Sequence, residues 1–264
     1  MDLVRTTWLI FHAQLFRTLR SRRTLVCAGI AILPVVLAFV VSLFLELDNP
    51  RALARAPRAV GWMLIVQVVV PVLSLIAGAA VVSEEIEDRT ITYLLTRPIP
   101  RAAILVGRWL ACVVWLELLL FVSMAGSLLA LGWKPFDPEA GNVPPELASA
   151  MIAAAMAGGV IYSTLFAALG TRIKHPMIVG LIYTFAIELF LSNLPGKTQT
   201  LTVQFYLKSI AKSLAPDAWG RMPMFRGDHF DTLPEALTTL AILLTVSLAL
   251  GSWILSRRQY VMSS

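Results

Sequence analysis

The sequence predicts an all-α polytopic membrane protein: six transmembrane helices, an N-terminal amphipathic helix at the membrane surface, and a short cytoplasmic helix between the second and third spans. Three observations carry this expectation. Of the 264 residues, 58% are hydrophobic and only 14% charged, against about half and about a quarter in soluble domains. Apolar runs at 24–45, 61–82, 103–132, 148–170, 177–194 and 235–255 occupy about half of the chain. A bilayer core of about 30 Å takes about 20 helical residues to cross, so each run suffices, the fifth barely. None of the runs alternates with period two, so helices rather than a barrel satisfy the backbone in lipid. The whole chain, 1–264, therefore reads as one membrane domain with no room for a soluble catalytic domain, since its longest polar stretch is only 195–234.

Residues 1–23 precede the first span. Leu3, Val4, Trp8, Phe11, Leu15 and Leu19 recur at three- and four-residue steps, with Arg5, Gln14, Arg17 and Arg20 between them. That periodicity predicts an amphipathic helix lying at the inner membrane surface. The first apolar run is too long for a signal-peptide core and lacks a small-residue cleavage pattern, so it reads as a retained span. The connector 46–60 is short and outside.

The connector 83–102 is inside and dense in charge. Ser83 is an N-cap candidate, and Glu84, Glu85 and Glu87 suit the positive end of a helix dipole. Ile91, Leu94 and Leu95 form a short apolar edge, and Pro98 with Pro100 ends the helix. Residues 133–147 form a proline-rich outer loop. In the fourth span Ala153, Ala154, Ala157, Gly158 and Gly159 offer the small side chains that let helix backbones approach in lipid. Gly170 to Pro176 is a tight, basic cytoplasmic turn. In the outer segment 195–234, Val203, Tyr206, Leu207, Ile210 and Leu214 share one helical face, with Lys208, Ser209, Lys212 and Ser213 opposite. This fits an interfacial or shallow re-entrant helix, or else a solvated helix capping the bundle.

The net charge is +6. With the N-terminus inside, 13 of the 22 basic residues fall on the cytoplasmic side, led by Arg17, Arg20, Arg22 and Arg23 just before the first span. The expected placement is a multi-pass protein of the cell (inner) membrane with both termini in the cytoplasm. The same distribution accounts for the basic balance without nucleic acid, which lacks a base-stacking platform here.

Candidate chemistry is sparse. Pro195-Gly196-Lys197-Thr198 imitates the end of a phosphate-binding loop, but Leu191 stands where that loop needs glycine and no strand precedes it. Cys27 and Cys112 read as apolar fillers, and His12, His175 and His229 are isolated. No metal site, cofactor site or hydrolase pattern is expected. Trp62, Trp133, Trp219, Trp253 and Tyr260 at span ends read as interfacial anchors. Glu117 and Glu188 lie inside spans, where a carboxylate is expensive. They are either part of a translocation path or proton relay, or a polar clasp between helices with Tyr183, Ser123 or Trp115 as partners.

The segment 83–110 resembles the membrane subunits of type-2 ABC exporters. Those subunits enter the cytoplasm after their second span with acidic residues and a Gly-Thr step. A leucine-rich helix, a Pro-x-x-Arg-like turn and a Gly-Lys or Gly-Arg at the third span follow. Here the matching residues are Glu84, Glu85, Glu87, Thr90, Tyr93, Leu94, Leu95, Pro98, Arg101, Gly107 and Arg108, with Arg89 where glycine is usual. The resemblance implies a permease dimer, with an identical or homologous second permease, and two copies of a separate ABC ATP-binding subunit docked below. It implies a coupling helix contacting that ATPase through Glu84, Glu85, Glu87, Arg89, Thr90, Tyr93, Leu94, Leu95, Arg97, Pro98 and Arg101. It also implies no catalysis in this chain, with ATP and Mg2+ bound by the partner. The function implied is ATP-driven export or extraction of a substrate. The alternatives are an ABC-coupled assembly factor, for example in metalloenzyme maturation, or a secondary transporter using Glu117 and Glu188. The last would call for repeated, broken spans and more midplane charges.

Overall fold

The computed structural model describes residues 3–44, 55–87, 101–132, 143–173, 175–192, 197–219, 222–225 and 230–257. Among these, all regular structure is helical. We number the main helices α1 (Leu3–Leu19), α2 (Arg22–Phe44), α3 (55–87), α4 (Arg101–Gly132), α5 (Pro145–Gly170), α6 (176–191), α7 (Val203–Leu214) and α8 (Leu233–Arg257).

Five helices are long and apolar enough to cross a membrane: Arg22–Phe44, Arg55–Val81, Ile104–Gly132, Pro145–Gly170 and Leu233–Leu255. They coincide with five of the six expected spans. The remaining one, 177–194, is a shorter apolar helix, α6. At 1.5 Å per residue it extends about 24 Å, less than a full hydrocarbon core. The physical reason lies at its end, where Glu188 turns inward to the start of α7 and the chain leaves the helix at Ser192.

Helix α3 is π-helical over Ala59–Val69 before becoming α-helical over Val70–Glu87. Pro71 explains where the ladder changes. It has no N–H to give the Gln67 carbonyl, and the Val70 N–H reaches back five residues to the Ile65 carbonyl. Helices α3 and α5 form the most extensive packing pair. Their approach depends on Gly78, where a Cβ would lie 2.6 Å from the Ser163 carbonyl oxygen. The expected small-residue face of the fourth span is used the same way: Gly158 receives Leu207 of α7, and Gly159 receives Glu117 and Leu120 of α4.

Around this centre, α4 lies against α1, α2 and α5, while α8 packs on α5, α7 and α4. Helices α2 and α8 are peripheral and present apolar side chains outward, including Leu25, Ile32, Val36 and Phe44 on α2 and Ile242, Leu250 and Trp253 on α8. In a soluble protein such faces would drive association; in a bilayer lipid meets them. The N-terminal amphipathic helix is present as α1, seated on α4 where Gly107 leaves room for the Thr7 carbonyl and Ile10. Its Trp8, Phe16 and Leu19 remain exposed.

Two readings need correction. Trp62 and Trp219 are not interfacial anchors: both are fully buried, with ring centroids 5.2 Å apart, and Phe225 lies 4.1 Å from Trp219. The segment after α7 folds back over the start of α3, so their rings form the interior of a cap at that end of the bundle. Trp253 is exposed, whereas Trp133 and Tyr260 lie outside the described residues. In α7, Lys208 and Ser209 are buried rather than on a solvated face. Lys208 Nζ donates to the Ser192 carbonyl at 2.5 Å, and Ser209 Oγ donates to the Phe205 carbonyl and accepts from the Asp231 N–H. With Lys208 Nζ and Ser209 Oγ both hydrogen-bonded, burial of this side of the helix leaves neither group unsatisfied.

Candidate functional site

The densest polar constellation lies where α6 meets α7. Thr202 caps α7, its hydroxyl accepting the Phe205 N–H at 3.3 Å. The next two N–H groups, of Val203 and Gln204, are donated to Glu188 Oε1 at 3.0 Å and Oε2 at 3.2 Å. Tyr183 Oη donates to Oε1 at 2.6 Å and Tyr162 Oη to Oε2 at 2.9 Å. Each oxygen of Glu188 thus meets one phenol and one backbone donor. This is the donor set that an acceptor-only carboxylate satisfies, at the end of a helix whose dipole favours negative charge. Glu188 is 1% exposed.

Two further contacts tie α7 in place. Gln204 Nε2 donates to the Val66 carbonyl at 3.0 Å, in the π-helical part of α3. Lys208 lies near enough to Glu188 for their charges to interact, and burial pushes its ammonium down to about 8 against the pull of that carboxylate. Of the partners proposed from sequence, Tyr183 is the one found on Glu188. Tyr162, Gln204 and Lys208 were missed. A carboxylate-to-helix-start contact joins residues 15 and 16 positions apart, a spacing that carries no periodic signal.

Glu117 is placed differently. It projects from α4 onto α5, so close to Gly159 that a Cβ there would lie 2.4 Å from Oε1. Its two oxygens are shielded and, among the described residues, meet no hydrogen-bond donor. Ser123 and Trp115 do not serve it. Glu117 and Glu188 therefore sit in different hydrogen-bonding environments.

At the opposite end of the bundle, Arg108 of α4 is buried and donates Nη1 to the Val81 carbonyl of α3 at 3.2 Å. At the next residue of α4, Trp109 Nε1 donates to Thr164 Oγ1 at 3.0 Å, linking α4 to α5. These bonds bring the end of α3 and the start of α4 together. Of the residues attributed to a coupling helix, Arg89, Thr90, Tyr93, Leu94, Leu95, Arg97 and Pro98 lie outside the described residues. The expected N-cap at Ser83 is not found: α3 continues without a break to Glu87, so Ser83 lies inside it and Glu84, Glu85 and Glu87 fall on its final turns rather than at the start of a new helix, while Arg101 opens α4; the side chains of these three glutamates and Arg101 lie outside the described set. No group of three His, Cys, Asp or Glu side chains that could hold a metal ion occurs among the described residues.

This arrangement of apolar helices can be set beside known proteins. The family described as "ABC-2 family transporter protein" matches residues 8–259. The chain belongs to that family. It is accordingly a multi-pass membrane protein and a permease component of an ABC transporter, a class that associates with an ATP-binding subunit. The ABC-2 match spans α1 through α8 and so includes both the Glu188 constellation and the Arg108 corner. No curated protein matches the chain.

Proposed function

We propose that this ABC-2 permease couples ATP hydrolysis, performed by two copies of a separate ATP-binding subunit, to export of a substrate or its extraction from the membrane. A second permease, identical or homologous, completes the pathway. The connector between α3 and α4 supplies the coupling helix gripped by the ATPase, with Leu94 and Leu95 as its apolar contact, Arg89, Thr90, Tyr93, Arg97 and Pro98 around it, and Glu84, Glu85, Glu87 and Arg101 on the adjoining ends of α3 and α4. ATP and Mg2+ bind in the partner, and this chain performs no catalysis. The protein lies in the cell (inner) membrane with both termini in the cytoplasm, the side towards which Arg17, Arg20, Arg22 and Arg23 point under the positive-inside rule.

The observation that carries this reading is the bond between Arg108 and Val81. It roots both ends of the charged connector in one packed corner, shared with α1 through Gly107. Force applied to the connector then reaches α3 and α4 as a unit, the behaviour a lever between two states requires. In the same reading Glu188 is a clasp for α7 rather than a carrier of protons, because four donors already occupy its oxygens.

The test is copurification. Leu94→Asp with Leu95→Asp leaves membrane insertion intact and abolishes recovery of the ATPase subunit. Undiminished ATPase in the purified complex overturns the coupling assignment.

A further inference from the structure

Two stretches of the bundle depart from α-helical register, Ala59–Val69 of α3 and Tyr183–Glu188 of α6. Such π-helical runs are rare and collect at functional sites. Both meet the start of α7. In α3 the Val70 N–H reaches back to the Ile65 carbonyl, which leaves the Val66 carbonyl to the residue five places on. That residue is Pro71, which has no N–H to give. Gln204 of α7 fills the gap, its Nε2 donating to the Val66 carbonyl at 3.0 Å. Were Ala59–Val69 wound as an α-helix, that carbonyl would take the Val70 N–H, four residues on. The Val66 carbonyl thus serves α7 in one register and the ladder of α3 in the other.

Helix α6 meets α7 on the same terms. Tyr183 and Glu188 are five residues apart, a spacing that an α-helix of about 3.6 residues per turn points about 140° apart. In the π register they come together, and Tyr183 Oη donates to Glu188 Oε1 at 2.6 Å. The same carboxylate accepts the N–H groups of Val203 and Gln204. Gln204, 1% exposed, is therefore tied to α6 by its backbone and to α3 by its side chain. The docked arrangement also carries costs at this place. Trp62 Nε1, Gln67 Nε2 and Gln204 Oε1 are buried and, among the described residues, meet no hydrogen-bond partner. Gains and costs gathered on one contact mark an element with two packed states.

We propose that the start of α7 is a latch, released in one transition with the return of Ala59–Val69 and Tyr183–Glu188 to α-helical register. With α7 docked, both stretches stay π-helical. With α7 released, the Val66 carbonyl takes the Val70 N–H and Tyr183 turns away from Glu188. Gly78 seats the later half of α3 against Ser163, so the rewinding falls on the earlier half. Trp62 then turns by on the order of 100° about the axis of α3 and leaves its edge-to-face contact with Trp219. The far end of α3 stands at the Arg108 corner, so the latch and the connector act on one helix. Only that link rests on the coupling reading above; the latch itself does not.

The experiment reads Trp62 by fluorine NMR in fluorotryptophan-labelled protein, purified into lipid nanodiscs with whatever subunits accompany it. Trp62→Phe assigns the resonance among the seven tryptophans, and Trp253, exposed on α8, is the internal control. The expected result is a second Trp62 resonance whose ratio to the first rises about tenfold in Gln204→Leu, which removes the donor to Val66. Tyr183→Phe, which acts in α6 on the Glu188 bond, raises the same resonance at the same position, also about tenfold. Hydrogen exchange at the Val203 and Gln204 amides rises in step. A Trp62 resonance unmoved by Gln204→Leu overturns the proposal. One that moves in Gln204→Leu and not in Tyr183→Phe overturns the single transition and makes Gln204 a local contact only. Should Gln204→Leu fail to fold, Tyr183→Phe still decides, because it removes a hydroxyl and keeps the ring. No nucleotide is added, so the outcome is independent of whether the connector is gripped by a motor.

Discussion

Replacing Glu188 by glutamine changes two atoms and leaves shape and volume nearly intact. The carboxylate accepts from Tyr162, Tyr183 and the N–H groups of Val203 and Gln204. An amide can present oxygen to only one of these two donor pairs, and its NH2 then faces the other. The tyrosine hydroxyl of that pair can rotate and accept, but the backbone N–H cannot. One buried N–H at the start of α7 is therefore orphaned, at about 1–3 kcal/mol. The surviving bonds lose the assistance of a full charge, and the helix dipole loses its counter-charge, a further contribution of up to about 2 kcal/mol. Because these groups share one network the terms do not simply add, and the expected loss is about 3 kcal/mol, the middle of their combined range.

For a chain of this size that corresponds to a fall in thermal midpoint on the order of 10 °C. The assay is thermal unfolding of the purified protein in detergent, paired with hydrogen exchange at the amides of 203–214. Exchange should rise first at Val203 and Gln204, because these donors lose the carboxylate, while the Phe205 N–H keeps its bond to Thr202. A midpoint within about 3 °C of the parent, with exchange in α7 unaltered, would refute the claim that Glu188 holds this helix in the bundle.

Two other outcomes are expected. Glu117→Gln changes thermal midpoint by no more than about 2 °C and ATP-driven function by less than about twofold, because no described donor is lost; a large functional loss at normal expression would instead make this carboxyl part of the transport pathway. Lys208 is more readily deprotonated in the folded protein than in the unfolded chain, with an ammonium at about 8 against an ordinary 10.5, so the unfolded state binds more protons between those values. Stability should accordingly rise as pH increases from about 8 to 10.5, by up to about 3 kcal/mol. Relative to Lys208→Met, measured over the same range, the parent should gain in thermal midpoint; parallel curves would show that burial does not penalise this ammonium.

How much was legible in the sequence depends on the range over which each signal acts. Hydropathy and helix length are local quantities, and lipid offers no competing partner for the backbone, so α2, α3, α4, α5 and α8 follow directly from their apolar runs. The periodicity of residues 3–20 likewise draws α1, and the charges before residue 24 suggest its side of the membrane. The resemblance around Glu84 to Arg108 anticipated the ABC-2 family from about a tenth of the chain.

Tertiary structure alone decided what the polar side chains do. Glu117 and Glu188 are both single acids in apolar runs, yet one faces Gly159 with no donor and the other collects four. Trp62 and Trp219 look like belt residues along the chain, yet meet edge to face in a buried cluster once the segment after α7 folds back. Arg23 and Arg108 are far apart in sequence and line one pocket. Composition can say that a charge in a membrane must find a partner, because leaving it bare costs several kcal/mol. Which partner it finds depends on angles and distances between helices, and those exist only after the helices have packed.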